Sequence, residues 1–319
     1  VTIFKQTTDK HWTEGSQVVD DKTYIADDMV NAEISTNLPD PSMLAKKLSK
    51  VQLTDDFTNF KDNVDFVSAT VYENGQDVTS LYTITNANGK VVAVRKDPSN
   101  APAGTAKLDV KFKIHDDVKS GTVFKNTGDV LINDSDVSTP SPKIVIYKQT
   151  TDKHWVEGDQ VVDGKTFISG DKVTGQVSMS LPDKNQLAKP LSKVELVDDY
   201  SNFKDKADYV SARVYEGDQD VTDQYTITNT NGKVTAVRKD ASKAPSGSAK
   251  LVVSWQVHTD VASGTKLINA GSGTINGSTV KTPDRTIVTY SQETTKNWIE
   301  GNTVVNGKTY IDNDDITAQ

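Results

Sequence analysis

The sequence has no cysteine among its 319 residues, so it offers no disulfide, no thiolate metal ligand and no cysteine nucleophile. It has only four histidines, and they are not clustered, so we expect no metal site and no cofactor. Basic residues number 36 against 44 acidic ones, a net charge of −8 that argues against nucleic-acid binding. Apolar runs such as Val91–Val94 are far too short to cross a bilayer, so we expect no membrane partner.

Motifs of the common enzyme classes are also missing. The sequence contains no G-x-S-x-G, P-loop or H-E-x-x-H pattern, and its glycines are typical of turns. The acidic segment Asp312–Asp315 lacks the spacing of an EF-hand, and we expect a solvated loop there rather than a Ca²⁺ site. We therefore expect a protein that is not an enzyme. The composition, 35% hydrophobic and 25% charged, is that of a folded chain.

The dominant feature that is present is an internal repeat. The segment Lys5–Trp12 returns as Lys148–Trp155, a shift of 143 residues, and more than half of the positions at this shift are identical. A unit of this length is the size of an independent domain and far longer than a solenoid repeat. The short proline-containing segments 138–142 and 281–284 read as linkers. We therefore predict domains at 1–142 and 143–285, with a partial third repeat at 286–319, as a monomeric tandem array.

The repeat reads as almost entirely β-strand. Leu108, Val110, Phe112 and Ile114 alternate with polar residues, which predicts a strand with one solvated face. The same period of two runs through Val67, Ala69 and Val71 and through Val210, Ala212 and Val214 in the second copy. Asn88-Gly89 and Asn231-Gly232 between strand-like segments predict type I′ hairpins. Many short strands with regular turns predict an all-β fold of tandem immunoglobulin-like β-sandwich modules.

Three polar residues per repeat share an apolar face of their predicted strands. In Val51–Asp56 the alternation places Asp55 with Val51 and Leu53, and Phe124-Lys125-Asn126 places Asn126 with Phe124. The strand Ile3-Phe4-Lys5 places Lys5 with Ile3. Their counterparts in the second copy are Lys148, Asp198 and Asn269.

Three such groups cannot be buried separately without a large desolvation cost. Together they form a reaction centre in which burial favours a neutral lysine amine and a protonated aspartic acid. The amine can attack the asparagine amide, which the acid polarises, and release ammonia. The product is an intramolecular Lys–Asn isopeptide cross-link. The alternative is that the lysine extends to solvent and that the other two residues cap turns.

The order of these landmarks resembles the C-terminal domains of the antigen I/II adhesins of Gram-positive surface proteins. The resemblance lies in Phe124–Thr127, in Leu53–Phe57 and in Val161–Phe167, and their order is the same in both full copies. In that family, an asparagine on a late strand bonds to a lysine on the first strand, and an aspartate on a middle strand promotes the bond.

The resemblance implies roles for residues in both copies. Asn126 and Asn269 are the implied cross-link asparagines, and Asp55 and Asp198 are the promoting acids. The lysine is open between Lys5 and Lys148, which strand face favours, and Lys10 and Lys153. Ser291 stands at the position of Lys5 in the third copy, which predicts that this copy lacks the bond.

The resemblance implies modules of an adhesin stalk on an extracellular, cell-wall-attached surface protein. A host or microbial surface ligand would then be bound by other domains of the parent protein. One alternative is that the repeats themselves bind host glycoprotein or glycan, with Trp12, Trp155 and Trp255 as exposed faces for sugars. The other is a carbohydrate-active enzyme, which needs two carboxylates where each repeat offers one candidate.

Overall fold

The computed structural model describes residues 2–312 and 314–319. Within this part of the chain, the two full repeats form two β-sandwiches, and the residues after Tyr290 add one small three-stranded sheet. No helix among the described residues combines the length and apolar character that a bilayer crossing requires. Asp312, Asp314 and Asp315 are exposed, and Asn313 of the same acidic segment lies outside the described residues.

Fourteen strands build the first sandwich. They are β1 (Thr8–Glu14), β2 (Gln17–Val18), β3 (Thr23–Ile25), β4 (Met29–Leu38), β5 (Val51–Asp56), β6 (Val64–Glu73), β7 (Gln76–Asp77), β8 (Tyr82–Ala87), β9 (Lys90–Arg95), β10 (Gly104–Ile114), β11 (Val123–Lys125), β12 (Thr127–Ile132), β13 (Ser135–Ser138) and β14 (Lys143–Tyr147). Four single 3₁₀ turns connect them, at Pro41–Met43, Lys61–Asn63, Thr79–Leu81 and Pro98–Asn100.

The second sandwich repeats this order with thirteen strands, because one long strand replaces β11 and β12. They are β15 (Thr151–Glu157), β16 (Gln160–Val161), β17 (Thr166–Ile168), β18 (Lys172–Leu181), β19 (Val194–Asp199), β20 (Ala207–Glu216), β21 (Gln219–Asp220), β22 (Tyr225–Thr230), β23 (Lys233–Arg238), β24 (Gly247–Val257), β25 (Lys266–Ile275), β26 (Ser278–Lys281) and β27 (Arg285–Tyr290). Its 3₁₀ turns are Thr222–Gln224 and Ala241–Lys243, and β28 (Trp298–Glu300), β29 (Thr303–Val304) and β30 (Thr317–Ala318) follow.

Each sandwich packs two sheets face to face. The front sheet of the first sandwich has the strand order β2-β1-β4-β10-β6-β7, and the back sheet has β13-β12-β5-β9-β8, with β11-β14-β3 beside it. The corresponding sheets of the second sandwich are β16-β15-β18-β24-β20-β21 and β17-β27-β25-β19-β23-β22. Almost all pairs are antiparallel, but β14 pairs with β3, and β27 with β17, in parallel. The predicted all-β fold of tandem sandwiches is confirmed.

The last strand of each sandwich comes from the sequence that leads into the next repeat. Strand β14 pairs with β11 and β3, and its Ile144 and Ile146 are buried in the first core. The first sandwich therefore extends to Tyr147, five residues past the boundary at 142 that the proline-containing linker suggests. By the same arrangement, Arg285–Tyr290 completes the second sandwich.

The alternating pattern places most apolar residues as predicted, with one exception in each copy. Leu108, Val110, Phe112 and Ile114 are all buried. Val67 and Val210 are about half exposed, although the alternation predicts them to face inward. A β-bulge at each position, between β6 and β10 and between β20 and β24, inserts one unpaired residue and reverses the direction of the side chain. The Asn-Gly hairpins are confirmed, since Asn88 and Gly89 have positive φ angles of 52° and 78°.

Candidate functional site

The candidate site of the first sandwich is a buried contact between the two sheets. Lys10 points inward from β1 of the front sheet, and Asp55 points inward from β5 of the back sheet. The Lys10 Nζ lies 2.6 Å from Oδ2 of Asp55, and Nδ2 of Asn126 donates to the same oxygen at 3.2 Å. Asn126 lies between β11 and β12, and all three side chains are fully buried. The fold thus brings together an amine, a carboxyl group and a carboxamide that lie 45 and 71 residues apart in sequence.

Burial shifts the proton equilibria of this site toward neutral groups. Desolvation lowers the pKa of the Lys10 amine, although the nearby Asp55 and Asp56 oppose the shift. Desolvation likewise raises the pKa of Asp55, against the effects of Lys10 and Asn126. The two shifts together favour transfer of the proton from the amine to the carboxyl group. The Oδ1 atoms of Asp55 and Asn126 have no hydrogen-bond partner among the described residues.

Aromatic rings next to these residues exclude water from the site. Trp12 follows Lys10 by two positions on β1 and contacts Phe60 at 5.7 Å between ring centroids. Phe60 stacks on Phe124, at 4.8 Å and an interplanar angle of 12°, and Phe124 precedes Asn126 by two positions. Phe57 and Phe112 complete the cluster. An amine in such a low-dielectric site is favoured in its neutral, nucleophilic form.

The second sandwich repeats the site with Lys153, Asp198 and Asn269. These three side chains are also fully buried, and the Lys153 ammonium group contacts Oδ2 of Asp198. Desolvation lowers the pKa of Lys153 and raises the pKa of Asp198. A β-carbon built on Gly175 would lie 2.8 Å from Nδ2 of Asn269 and 2.9 Å from Nζ of Lys153, so these two nitrogens approach the same glycine.

The aromatic cluster of the second sandwich differs in composition from that of the first. Leu267 stands where the first copy has Phe124, and Trp255 stands where it has Phe112. Trp255 contacts Trp155 and Phe203, and its ring centroid lies 6.0 Å from the Lys153 Nζ. A β-carbon on Gly175 would lie 3.0 Å from Cζ3 of Trp255, which lies on the neighbouring strand two positions from the residue that pairs with Gly175. The first copy has Ala32 and the smaller Phe112 at the corresponding positions. The larger ring thus occurs together with the smaller residue on the neighbouring strand of the same sheet.

The structure corrects the lysine that strand face favours. Lys5 is exposed and precedes β1, and Lys148 contacts Asp116 at the surface, with 3.6 Å between its Nζ and Oδ1 of Asp116. The expectation that Lys5 and Lys148 point into the core is wrong. Lys10 and Lys153 occupy the buried positions instead.

The physical reason lies in the strand that completes the preceding sandwich. Ile146 faces the core of the first sandwich, not of the second, and its counterpart Ile3 is 86% exposed. The signal for the buried lysine is its alternation with tryptophan, because Lys10 and Trp12 lie on the same face of β1. The third copy keeps this pair as Lys296 and Trp298, so the serine at position 291 says nothing about the cross-link. The 319 residues contain no third-copy counterpart of Asp55 or Asn126.

The tryptophans that sequence suggests as sugar-binding faces are not available. Trp12, Trp155 and Trp255 have no solvent exposure, so the expectation of exposed faces is wrong for all three. They are core residues beside the two sites. Among the described residues, no group of three or more His, Asp or Glu side chains is arranged to hold a metal ion.

Comparisons with known proteins agree with the fold. The family model for the "Cell surface antigen I/II C2 terminal domain" matches residues 147–317, more than half of the chain. The C-terminal domain of the Streptococcus agalactiae AgI/II polypeptide BspA has a similar structure, with a TM-score of 0.70 and 14% identity, over 89% of this chain and 100% of that one. The C-terminal domain of the Streptococcus pyogenes antigen I/II-family protein AspA gives a TM-score of 0.69 and 16% identity, over 88% of this chain and 98% of that one.

No curated protein sequence matches this chain. At 14–16% identity the solved structures establish a shared fold, and the match of residues 147–317 adds the family. The chain therefore belongs to the antigen I/II family of cell-surface adhesins, as C-terminal-type domains of an extracellular surface protein.

Proposed function

We propose that the two sandwiches are load-bearing stalk modules of a cell-wall-attached adhesin, each closed by a self-catalysed isopeptide bond. The bonds join Lys10 to Asn126 and Lys153 to Asn269, and Asp55 and Asp198 promote them. The observation that carries the proposal is the buried contact of amine, carboxyl and carboxamide groups in the first sandwich, made by residues that reach inward from opposite sheets. The second sandwich repeats the contact of amine and carboxyl group, and Asn269 is buried near the same glycine as Lys153, without a hydrogen-bond partner among the described residues.

The reaction begins with a proton transfer inside the core. Desolvation lowers the pKa of Lys10 and raises that of Asp55, so the proton moves from the ammonium group to the carboxylate. The neutral amine then carries a free electron pair. Nδ2 of Asn126 faces Asp55 in the structure, so the carboxamide turns over about its Cβ–Cγ bond before its oxygen accepts a hydrogen bond from the protonated Asp55. That hydrogen bond makes Cγ of Asn126 more electrophilic.

The second stage exchanges one amide for another. Nζ of Lys10 attacks Cγ of Asn126 and forms a tetrahedral intermediate, whose oxygen the Asp55 proton stabilises. Proton transfer through Asp55 from the attacking nitrogen to the amide nitrogen turns the latter into a leaving group. Ammonia departs, the C–N bond to Lys10 remains, and Asp55 regains its proton. No external reactant is consumed, and the fold supplies the effective concentration.

The bond suits a protein that bears load outside the cell. It closes a loop of about 115 residues, which in the chain-entropy treatment of cross-links stabilises a module by about 4–5 kcal/mol. It ties β1 of the front sheet to the end of the back sheet, so the two sheets cannot separate without breaking a covalent bond. Unlike a disulfide, it is indifferent to redox conditions. Adhesion to a host or microbial ligand would then belong to other domains of the parent protein.

Intact mass under denaturing conditions tests the proposal. The wild-type chain should weigh less than its sequence by two molecules of ammonia, one for each full repeat. Lys10→Ala and Lys153→Ala should each restore one ammonia, and the double variant should restore both. Peptide mapping should then find Lys10 joined to Asn126 and Lys153 joined to Asn269.

Lys5→Ala provides the matched control, because Lys5 is exposed and lies in the same N-terminal segment. It should leave both bonds in place. A wild-type mass equal to the sequence mass would refute the cross-link, and a loss of ammonia that disappears in Lys5→Ala would refute the assignment of Lys10.

A further inference from the structure

The junction between the two sandwiches buries apolar surface of the first module. Ile25, at the end of β3, is 1% exposed and belongs to the core cluster of the second sandwich. Beside it, the backbone of Thr23 pairs with the following module, accepting from the N–H of Ala188 at 2.9 Å and donating to the carbonyl of Gln186 at 2.7 Å. The junction is therefore a packed and hydrogen-bonded contact and not a bare linker.

Charged and polar side chains fix the register of this contact. Oδ1 of Asp28 lies 3.7 Å from Nζ of Lys189 and accepts from Nδ2 of Asn276 at 3.2 Å. The same lysine lies over the ring of Tyr24, 5.4 Å from its centroid. Asp28 is nearly fully buried, and its partners come from two separate loops of the second module.

Both halves of this junction occur a second time, where they are open. We define the tail surface as residues 165–171 of the second module, which correspond to residues 22–28 of the first. We define the head surface as residues 44–46 and 133–135 of the first module, which correspond to residues 187–189 and 276–278 of the second. The tail surface keeps Thr166, Ile168 and Asp171, and the head surface keeps Lys46 and Asn133.

The two copies differ in exposure although the isoleucine, aspartate, lysine and asparagine of the contact are the same in both. Ile25 is 1% exposed and its counterpart Ile168 is 57% exposed. Lys46 is exposed, whereas its counterpart Lys189 is half-buried against Asp28. A groove lined by Leu44, Leu48 and Phe4 lies open beside the head surface.

We propose that the tail surface of the second module is a docking site for the head surface of another copy of this module. The contact repeats the junction already present in the chain: Ile168 enters the groove beside Leu44, and Asp171 pairs with Lys46 and Asn133. Because tail and head are different surfaces, the contact is heterologous, and its repetition builds an open head-to-tail array rather than a closed dimer. Within one polypeptide the linkage makes it intramolecular and correspondingly strong, whereas separate chains associate weakly.

Residues 6–290 are the unit that tests this docking between separate molecules. At the repeat shift, Phe4 corresponds to Tyr147 and Tyr290, which end the last strands of the two sandwiches. Residues 2–5 therefore occupy the position beside the head surface that the end of another copy's last strand would take, and the fragment omits them. Gln6 hydrogen-bonds to the carbonyl of Val130 within the first sandwich, and Tyr290 ends the last strand of the second. Both cores lie within residues 6–290, so this fragment contains two complete folding units.

The experiment is sedimentation of the 6–290 fragment over a range of concentrations, with charge-reversed variants. The average mass of the wild-type fragment should rise steadily with concentration, as expected for an open array. Lys46→Asp places an acid opposite Asp171, and Asp171→Lys places a base opposite Lys46, so each variant alone should stay at the mass of one fragment. An equimolar mixture of the two should associate again, because each variant's altered surface then meets an unlike charge.

The restoration in the mixture separates docking from other outcomes. Both substitutions lie on the surface, and circular dichroism checks that both variants fold. A wild-type fragment that stays monomeric up to its solubility limit would overturn the proposal. So would association that persists in both single variants, which would indicate contact through another surface. Neither result depends on the isopeptide bonds, whose presence is read from the intact mass of the same samples.

Discussion

Asp55 and Asp56 show how neighbouring carboxyl groups acquire opposite properties from the direction of their side chains. Asp55 faces the core, where desolvation raises its pKa, and it touches Lys10. Asp56 faces solvent and pairs with Lys90 at 2.9 Å, and hydrogen bonds to Thr58 and Lys90 outweigh its partial desolvation and lower its pKa. The proposed chemistry needs a carboxyl group that touches the amine and whose pKa is raised by burial, and of these two neighbours Asp55 has both properties.

Asp55→Asn should therefore prevent the first cross-link without changing the shape of the side chain. An asparagine cannot take the proton from Lys10 or return it to the leaving nitrogen, so the first module should retain its ammonia. The unfolding free energy of that module should fall by about 4–5 kcal/mol with the loss of the closed loop. Intact mass and chemical denaturation measure the two effects.

Asp56→Asn is the matched control for this prediction, since it removes a charge one residue away on the opposite face of β5. It should leave both bonds intact. The second module serves as an internal reference in both variants, because Asp198 is unchanged. A fully formed bond in Asp55→Asn would show that Asp55 has no part in the reaction.

His11 predicts a pH dependence of stability in the first module. Partial burial opposes its charge, but hydrogen bonds to Asp20 and Asp9, at 2.7 and 3.0 Å, raise its pKa above the ordinary value of 6.5. A raised pKa contributes stability that is fully present below 6.5 and is lost as the pH rises through the folded-state pKa. The melting temperature of the first module should therefore fall as the pH increases from 6 into the range above the shifted pKa.

Calorimetry of the His11→Asn variant checks this dependence, since asparagine is what the third copy carries at this position. The variant should lose the decline in melting temperature over that pH range. An equal decline in the variant would assign the effect to other groups.

The sequence reveals the asparagine and the aspartate of each site but not its lysine. Asp55 lies in β5, and Asn126 directly follows β11, and in both places the local alternation with buried apolar residues points the side chain inward. The local pattern is therefore sufficient for these two residues. For the lysine the pattern offers two strands, one with Lys5 or Lys148 and one with Lys10 or Lys153. The choice depends on whether the first of these strands belongs to the preceding sandwich or to its own. That is a property of the long-range pairing of β14 with β3 and β11, which no local period encodes.

At the scale of strands, the repeat explains both what was predictable and what was not. The hairpins, the long alternating strands and the all-β class follow from turn residues and a period of two. The bulges that expose Val67 and Val210 cannot be predicted in this way. The sequence continues to alternate through the bulge, and only the pairing with the neighbouring strand shows that one residue is unpaired. The same bulge in both copies indicates a feature of the fold rather than an irregularity.

Neighbouring strands of one sheet in the second sandwich also carry a paired change at diagonal positions, Gly175 with Trp255, where the first has Ala32 with Phe112. Gly175→Ala should crowd three groups at once, since the added carbon would lie 3.0 Å or less from atoms of Asn269, Lys153 and Trp255. Displacement of Asn269 or Lys153 should slow or abolish the second bond. Intact mass should then show one ammonia retained, and the second module should unfold more easily.

Addition of Trp255→Phe to Gly175→Ala provides the decisive comparison. The double variant reproduces the pair found in the first sandwich, so the bond should form again. If the double variant remains as defective as Gly175→Ala alone, the crowding by the tryptophan ring is not the cause.

For the whole molecule, the proposed cross-links would determine which residues bear tension when the chain is pulled from its ends. A force entering at the N-terminal side reaches Lys10, crosses the proposed bond to Asn126 and leaves through β14, so the residues between 10 and 126 carry no load. Residues 127–147 stay outside the closed loop and can peel away from the sandwich. The second module routes the force in the same way, from Lys153 to Asn269.

Single-molecule pulling should therefore give only short extensions for the wild-type chain. Lys10→Ala should open the first loop and add one long step, up to about 400 Å for the roughly 115 residues that it releases. The double variant Lys10→Ala with Lys153→Ala should show two such steps. Two long steps in the wild-type chain would mean that neither module is closed, whereas short extensions in the double variant would mean that the sandwiches resist force without the bonds.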